Sequence, residues 1–256
     1  EEWADTIQVA ASDSVWVTGL EASTMYNAQV APVCDPADPE SLGSFSSSIS
    51  FMTACGAVAT LNEDFENTAA LACWSAIQEV YDYSGTNYYF PTLANGAGLA
   101  HSGSIYFYFL SQFEGTPADQ YGITPELVSL ENMRVRFFAR KEEATDEDIT
   151  FYVGVMTDPS LASTFVAVDS FELNSIEYAQ YAVSFADYTG EGKYIAIKMP
   201  ASTVTYATLL IDDVIVDQIP SCMEPMGLAA VANSITPTSA LLKWNAQGSE
   251  SNWVVR

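Results

Sequence analysis

The chain of 256 residues has one histidine, eight lysines and arginines together, and four cysteines, and each shortage closes off a class of function. The single imidazole, His101, sits in the loop Gly96-Ala97-Gly98-Leu99-Ala100-His101-Ser102-Gly103 with no nucleophile signature beside it, so a nucleophilic triad lacks its base and His101 reads as a loop or surface residue. No Cys-x-x-Cys spacing occurs, and a tetrahedral zinc site lacks its usual ligands. Gly-rich phosphate loops and dinucleotide fingerprints are missing too. No run reaches the roughly 18 apolar residues of a membrane span, and residues 1–20 lack the basic start and apolar centre of a signal peptide. Those residues already alternate, with Trp3, Ile7, Val9, Val15 and Val17 apolar, as they would inside a longer protein.

Eight basic residues face thirty-three acidic ones, for a formal charge of −25. Such a surface repels phosphate backbones and anionic membranes, so nucleic acid and direct membrane insertion are not expected. The surplus of carboxylates serves either solubility or a cation such as calcium. Only 16% of residues are charged, against about a quarter in typical soluble proteins, while 49% are hydrophobic. That is enough to build a full core in one large or two modest domains.

Short alternating runs separated by turn residues dominate, and a helical period is almost nowhere sustained. The chain therefore reads as all-β, with its clearest strands at 14–19, 26–33, 48–53, 105–110, 133–139, 150–156, 180–185, 194–198, 207–216 and 240–244. Short helices are expected at 68–73 and 116–121. The cysteines read as disulfides rather than four buried thiols. Cys34 and Cys55 each end a strand-like run, which suits a bridge between them, and Cys73 with Cys222 would join the two ends of the central segment. Four cysteines allow three pairings, and the sequence does not choose among them.

Two acidic clusters bracket the centre, Asn62-Glu63-Asp64-Phe65-Glu66-Asn67 and Ile211-Asp212-Asp213-Val214. Carboxylates inside apolar runs need a partner, so Glu66 and Asp213 should face water, pair with a base such as Arg134 or Arg136, or meet across a metal ion. Aromatic residues cluster in Tyr81-Asp82-Tyr83-Ser84-Gly85-Thr86-Asn87-Tyr88-Tyr89-Phe90. Read as an exposed loop, it offers Tyr81, Tyr83 and Tyr88, with Trp74 nearby, for stacking on sugar faces or on a protein partner; the competing reading is ordinary packing. A glycosidase would need two carboxylates roughly 5 to 10 Å apart across a cleft, and no spacing here singles out a pair.

Several of these motifs fall in a familiar order. Asp64-Phe65-Glu66, Ala72-Cys73-Trp74, Asn132-Met133-Arg134-Val135-Arg136-Phe137, Val153-Gly154-Val155-Met156, Lys193-Tyr194-Ile195-Ala196-Ile197 and Ile211-Asp212-Asp213-Val214 together resemble the MAM-type jelly roll and its relatives in bacterial surface proteins, the cleaved-adhesin and choice-of-anchor families. Leu20 to Tyr26 with the 48–53 strand resembles the later strands of a fibronectin type III domain. Pro225-Met226-Gly227-Leu228 and the run from Ile235 to Trp244 resemble the first strands of another, with 251–256 starting a third strand. The resemblance implies a jelly-roll β-sandwich at 57–222 between partial sandwiches at 1–56 and 223–256. It also implies a structural calcium near Glu66 and Asp213, with Asp64, Asp212, Glu63 and Asn67 as further ligands.

Half a sandwich leaves an apolar face and open edges, so the terminal segments are expected to pair, in one chain or between two. The reading as a whole is a non-catalytic, secreted or cell-surface module of a larger bacterial protein that binds a glycan or a host or cell-surface protein. A structural spacer is the alternative, and a glycan-processing enzyme comes third.

Overall fold

The computed structural model describes residues 14–22, 24–35, 37–67, 70–96, 98–112, 117–202, 206–222, 224–246 and 251–255; residues 1–13, with the alternation noted there, lie outside these. The chain divides into two compact units, Glu1–Gly56 and Ala57–Arg256.

In the first unit β1 (Met25–Ala28) pairs with β4 (Ile49–Met52), and β2 (Val33–Asp35) with β3 (Asp38–Leu42), all antiparallel. Tyr26 stacks against Phe51 across the first pair, 6.0 Å between ring centroids. Its hydroxyl accepts the Glu21 N–H at 2.9 Å. Two sequence expectations need correction. Residues 14–19 form no strand and enter no strand ladder. The strand expected at 26–33 is broken after Ala28 and resumes at Val33, because Pro32 between them has no N–H to donate.

The second unit runs β5 (Leu61–Glu63), a 3-10 turn (Ala70–Cys73), β6 (Ser75–Ile77), β7 (Glu79–Tyr83), β8 (Thr86–Phe90), β9 (Thr92–Asn95), β10 (Ile105–Gln112), β11 (Gln120–Ile123), β12 (Met133–Arg140) and β13 (Ile149–Met156). It continues through a second 3-10 turn (Ala162–Thr164) to β14 (Val166–Leu173), β15 (Ala179–Ser184), β16 (Tyr194–Met199), β17 (Tyr206–Gln218), β18 (Met226–Ala230) and β19 (Leu242–Asn245). One sheet has the order β15-β12-β17-β10-β9, with β5 alongside β17; the other has the order β14-β13-β16-β11-β6. The architecture is an all-β sandwich. Its core lies between the two sheets and follows from alternation: Met133, Val135, Phe137 and Ala139 on β12 meet Phe151, Val153 and Val155 on β13, with Phe107, Phe109, Leu209 and Ile211 completing one sheet and Ile195 and Ile197 the other. Gly122 on β11 is required there, since a Cβ would sit 2.3 Å from the Phe107 ring.

The helix expected at 116–121 is overturned: residues 113–116 lie outside the described set, and Gln120–Ile123 is a strand between β16 and β6. All four of its residues are buried, so no alternation marked it, and pairing on both edges decided its conformation. The helix expected at 68–73 is a 3-10 turn from Ala70, with 68 and 69 outside the described residues. Residues 251–255 form no strand. The favoured cysteine pairings do not form either. Cys55 and Cys73 are disulfide-bonded, whereas Cys34, on the β2–β3 hairpin, and Cys222, beyond β17, are free and exposed.

Candidate functional site

β17 shapes the site through a defect. Over Tyr206 to Ile211 it pairs with β10, and over Val214 to Val216 with β5 on the same edge; on its other edge the register with β12 shifts between Arg136 and Phe138. Asp212 and Asp213 fall between the stretches paired with β10 and β5, and Asp213 also falls in the register shift, since Asp212 is paired with Phe138. Asp213 takes a left-handed conformation, φ 49°, as the extra residue of a bulge does. The bulge turns both carboxylates toward one target, the segment 101–102. Asp212 Oδ2 accepts the N–H groups of His101 at 2.8 Å and Ser102 at 3.0 Å. Asp213 Oδ2 meets His101 Nδ1 at 2.5 Å, and its Oδ1 accepts the Ser102 hydroxyl at 2.7 Å.

The other acidic cluster holds the next part of the same loop. Glu66 Oε1 accepts the N–H groups of Ser104 at 2.7 Å and Ile105 at 2.5 Å, and Oε2 accepts the Ser104 hydroxyl at 3.2 Å. Those N–H bonds keep the Glu66 carboxyl below the usual carboxylate range. Asp64 is exposed and accepts the Glu66 N–H at 3.1 Å. Glu63 is buried, caps the Phe65 N–H at 3.0 Å, and is pushed up by burial despite that bond. Asp212, fully buried, is pushed up to about 6 by burial against the pull of its N–H donors.

The first and last strands do pair, and the bracket is a clamp on residues 101–105. Glu66, Asp212 and Asp213 turn carboxylate oxygens to the N–H and O–H donors of this loop, and among the described residues no three acidic, histidine or cysteine side chains group as a metal site. Arg134 and Arg136 serve other acids: Arg134 reaches Asp217 and Glu224 at 2.9 Å each, and Arg136 reaches the same pair at 2.7 and 2.8 Å.

The clamp positions a ring. His101 lies flat on Phe138, 3.7 Å between centroids and 12° between planes, and meets Tyr178 edge-on at 5.1 Å. Tyr178 is tied further by its hydroxyl to the Leu99 carbonyl at 2.7 Å and by the Arg140 guanidinium 5.6 Å from its ring centroid. Phe138 and Tyr178 form one wall of an open groove of about 700 Å³, whose described lining adds Phe171, Tyr181, Gln180 and, from β18 and β19, Met226, Gly227, Leu228 and Asn245. Tyr181 is fixed edge-on to Phe171 at 5.1 Å. None of the described lining residues is charged. Rings that stack and carboxamides that both donate and accept make a surface for an uncharged, hydroxyl-rich ligand. Sequence reading missed the groove because its residues lie up to about a hundred positions apart.

The aromatic stretch is a hairpin rather than a loop. Ser84 and Gly85 both take positive φ, 53° and 81°, as a two-residue turn of the type favoured between twisted strands demands. Asp82 Oδ1 braces it by accepting the Gly85 N–H at 2.9 Å. Tyr88 is exposed, as is its neighbour Tyr89. Tyr81 is buried; Tyr83 ends β7, and its side chain lies outside the described set. Trp74 packs on the core, edge-on to Phe65 at 5.3 Å and Phe107 at 6.0 Å, beside a cavity of about 130 Å³. Its indole N–H lies near enough to Glu63 to favour that carboxylate's charged form yet makes no hydrogen bond of ordinary geometry. Trp74, Tyr81 and Tyr88 line no part of the groove.

No family model matches the chain, and no curated protein does. Among solved structures the chain is similar to the K3 cleaved adhesin domain of Lys-gingipain from Porphyromonas gingivalis W83, at 24% identity over 63% of this chain and 98% of that one, with a TM-score of 0.46. It is similar to the K1 cleaved adhesin domain of the same protein at 21% identity, covering 63% and 99%, TM-score 0.47. A C-terminal family 22 carbohydrate-binding module of Clostridium thermocellum Xyn10B is similar at 13% identity, covering 64% and 95%, TM-score 0.41. At these scores the likenesses carry no argument about what the chain binds.

Proposed function

We propose that this protein is a non-catalytic, extracellular adhesion module that binds an uncharged stretch of glycan in the groove beside β15. The observation that carries the reading is the groove's lining: four aromatic rings and two carboxamides without a charged described residue, on a chain whose formal charge is −25. A charged ligand would leave its charge unmatched there, whereas a pyranose presents C–H faces to rings and hydroxyls to amides. A volume of about 700 Å³ lies within the range of small-ligand sites, roughly 300–1,000 Å³. The disulfide-bonded Cys55 and Cys73 fit an oxidising, extracellular setting. His101 is engaged by Asp213 and packed on Phe138, and the Ser102 hydroxyl points to the aspartate rather than to the imidazole, which is not the hydrogen-bond order of a nucleophile and its base.

The test is a glycan array followed by calorimetry with the best-retained sugar. Wild type binds, Gln180→Ala weakens binding at least about tenfold, a hydrogen bond's worth of discrimination, and Tyr88→Ala leaves it unchanged. A folded sample that retains no glycan above background overturns the reading in favour of a spacer.

A further inference from the structure

At the root of the β7–β8 hairpin, on the edge where both sheets meet it, two buried oxygens have no donor. Glu79 opens β7 and is 2% exposed; Gln120 opens β11 and is fully buried. Glu79 Oε2 accepts the Ser111 hydroxyl and Gln120 Nε2, each at 3.0 Å, and the same Nε2 also donates to the Leu110 carbonyl at 2.7 Å. Nothing reaches Glu79 Oε1 or Gln120 Oε1.

Turning the Gln120 amide over offers no escape, because its oxygen would then face two acceptors. The carboxylate also lacks a countercharge. Arg134 and Arg136 pair with Asp217 and Glu224, Lys141 with Asp148, Lys193 with Glu126 and Lys198 with Asp119, while Arg140 lies against Tyr178 and the Glu142 carbonyl. Lys243, on β19, is exposed. No described basic side chain is paired with Glu79. Further acidity lies one link away, where Ser202 donates its N–H to Ser111 Oγ at 3.2 Å and its hydroxyl to Glu147 at 2.7 Å.

Two orphaned acceptors in one buried hydrogen-bonded cluster, with no described basic side chain paired to the carboxylate, can be met by a bound cation or by a proton shared between them. A water molecule would satisfy the oxygens and leave the charge. We propose that Glu79 Oε1 and Gln120 Oε1 hold a hard cation of calcium-like chemistry, with water completing its shell. Carboxylate and amide oxygens are the donors such ions prefer, and a chain of net charge −25 concentrates cations around itself. The ion ties β7 to β11, and with Ser111 on β10 it pins the base of the hairpin that displays Tyr88 and Tyr89 to both sheets. This site is separate from the acidic clamp and does not rest on the glycan reading.

Calcium itself is the probe. Protein stripped with chelator is titrated with calcium by calorimetry and melted with and without it, as wild type, Glu79→Gln, Gln120→Leu and Glu66→Gln. Wild type and Glu66→Gln should bind one calcium and melt roughly 5 to 10 °C higher at about a hundredfold excess over Kd, whereas Glu79→Gln and Gln120→Leu should lose the shift. Should Glu79→Gln not fold, Gln120→Leu and the wild-type titration decide the matter. A wild type that binds no calcium overturns the proposal. So does a shift that survives in Glu79→Gln or Gln120→Leu, or one lost in Glu66→Gln with both of those variants still responding.

Discussion

Gly103 and Glu66 are packed so closely that a Cβ on the glycine would fall 2.5 Å from both the carboxyl carbon and Oε1 of the glutamate. The glycine also has φ 58°, and the two facts have different consequences. Gly103→Ala incurs backbone strain of roughly 1 kcal/mol in any background, and in wild type it also displaces the carboxylate that binds Ser104 and Ile105. Chemical denaturation of the double-mutant cycle should show a larger loss in wild type than in Glu66→Ala. Equal losses in both backgrounds would mean that the glycine's closeness to Glu66 has no energetic consequence.

Asp212 predicts an unusual pH dependence. Its carboxyl is pushed up to about 6 in the fold, while an unfolded aspartate titrates near 3.9. Between about pH 4 and 6 the folded chain therefore keeps a proton that the unfolded chain has released. Its contribution is full below about pH 4 and declines as pH rises through 6, by up to about 3 kcal/mol. Urea denaturation of wild type against Asp212→Asn across this window should show the variant lacking that decline. Parallel curves would sink the assignment.

The arginine network predicts the opposite slope. Burial raises the Asp217 and Glu224 carboxyls, but Arg134 and Arg136 outweigh it and hold both below the usual range. Their contribution is present above about pH 4 and lost as pH falls through the folded values. Asp217→Asn should cost about 2 kcal/mol at neutral pH, a hydrogen bond to a charged group, and 1 M salt should leave most of that cost because the Arg134 side chain is 9% exposed. A cost erased by salt would mark the pair as a surface feature.

His101 acts on the groove through Phe138 and Tyr178. His101→Ala should weaken glycan binding several-fold, and His101→Phe should restore most of it, because the flat contact with Phe138 needs a ring and not a charge. If both variants bind like wild type, the stack does not position the wall.

The exposed tyrosines of the hairpin predict silence. Tyr88 and Tyr89 are 46% and 50% exposed, so replacing either with serine should change stability by no more than about 0.5 kcal/mol and leave sugar affinity unaltered. Lost affinity in a folded Tyr88→Ser sample would move the ligand site to the hairpin.

Some of this was legible in the chain. Alternation on β12 and β13 marked one face for the core, and the strands at 105–110, 133–139, 150–156, 180–185, 194–198 and 207–216 recur with ends moved by no more than a few residues. The acids around Glu66 and Asp213 stood out because carboxylates in apolar runs need partners. Gln120–Ile123 escaped notice since a strand buried on both faces has no alternation. The hairpin was mistaken for a loop because its Ser-Gly turn is a weaker signal than Asn-Gly.

What the sequence determined by itself is the all-β class, the acidity that repels polyanions, and the identity of the acids that needed something to hold. Local period and composition suffice for those, since they follow from each residue's neighbours along the chain. What the acids hold, which cysteines are bonded, and where rings and amides gather into a groove were decided only by the tertiary structure. Asp213 meets His101 across 112 positions, and Phe138, Tyr178 and Asn245 converge across about a hundred. Such meetings depend on sheet order and on one bulge in β17, which no local pattern in the chain records.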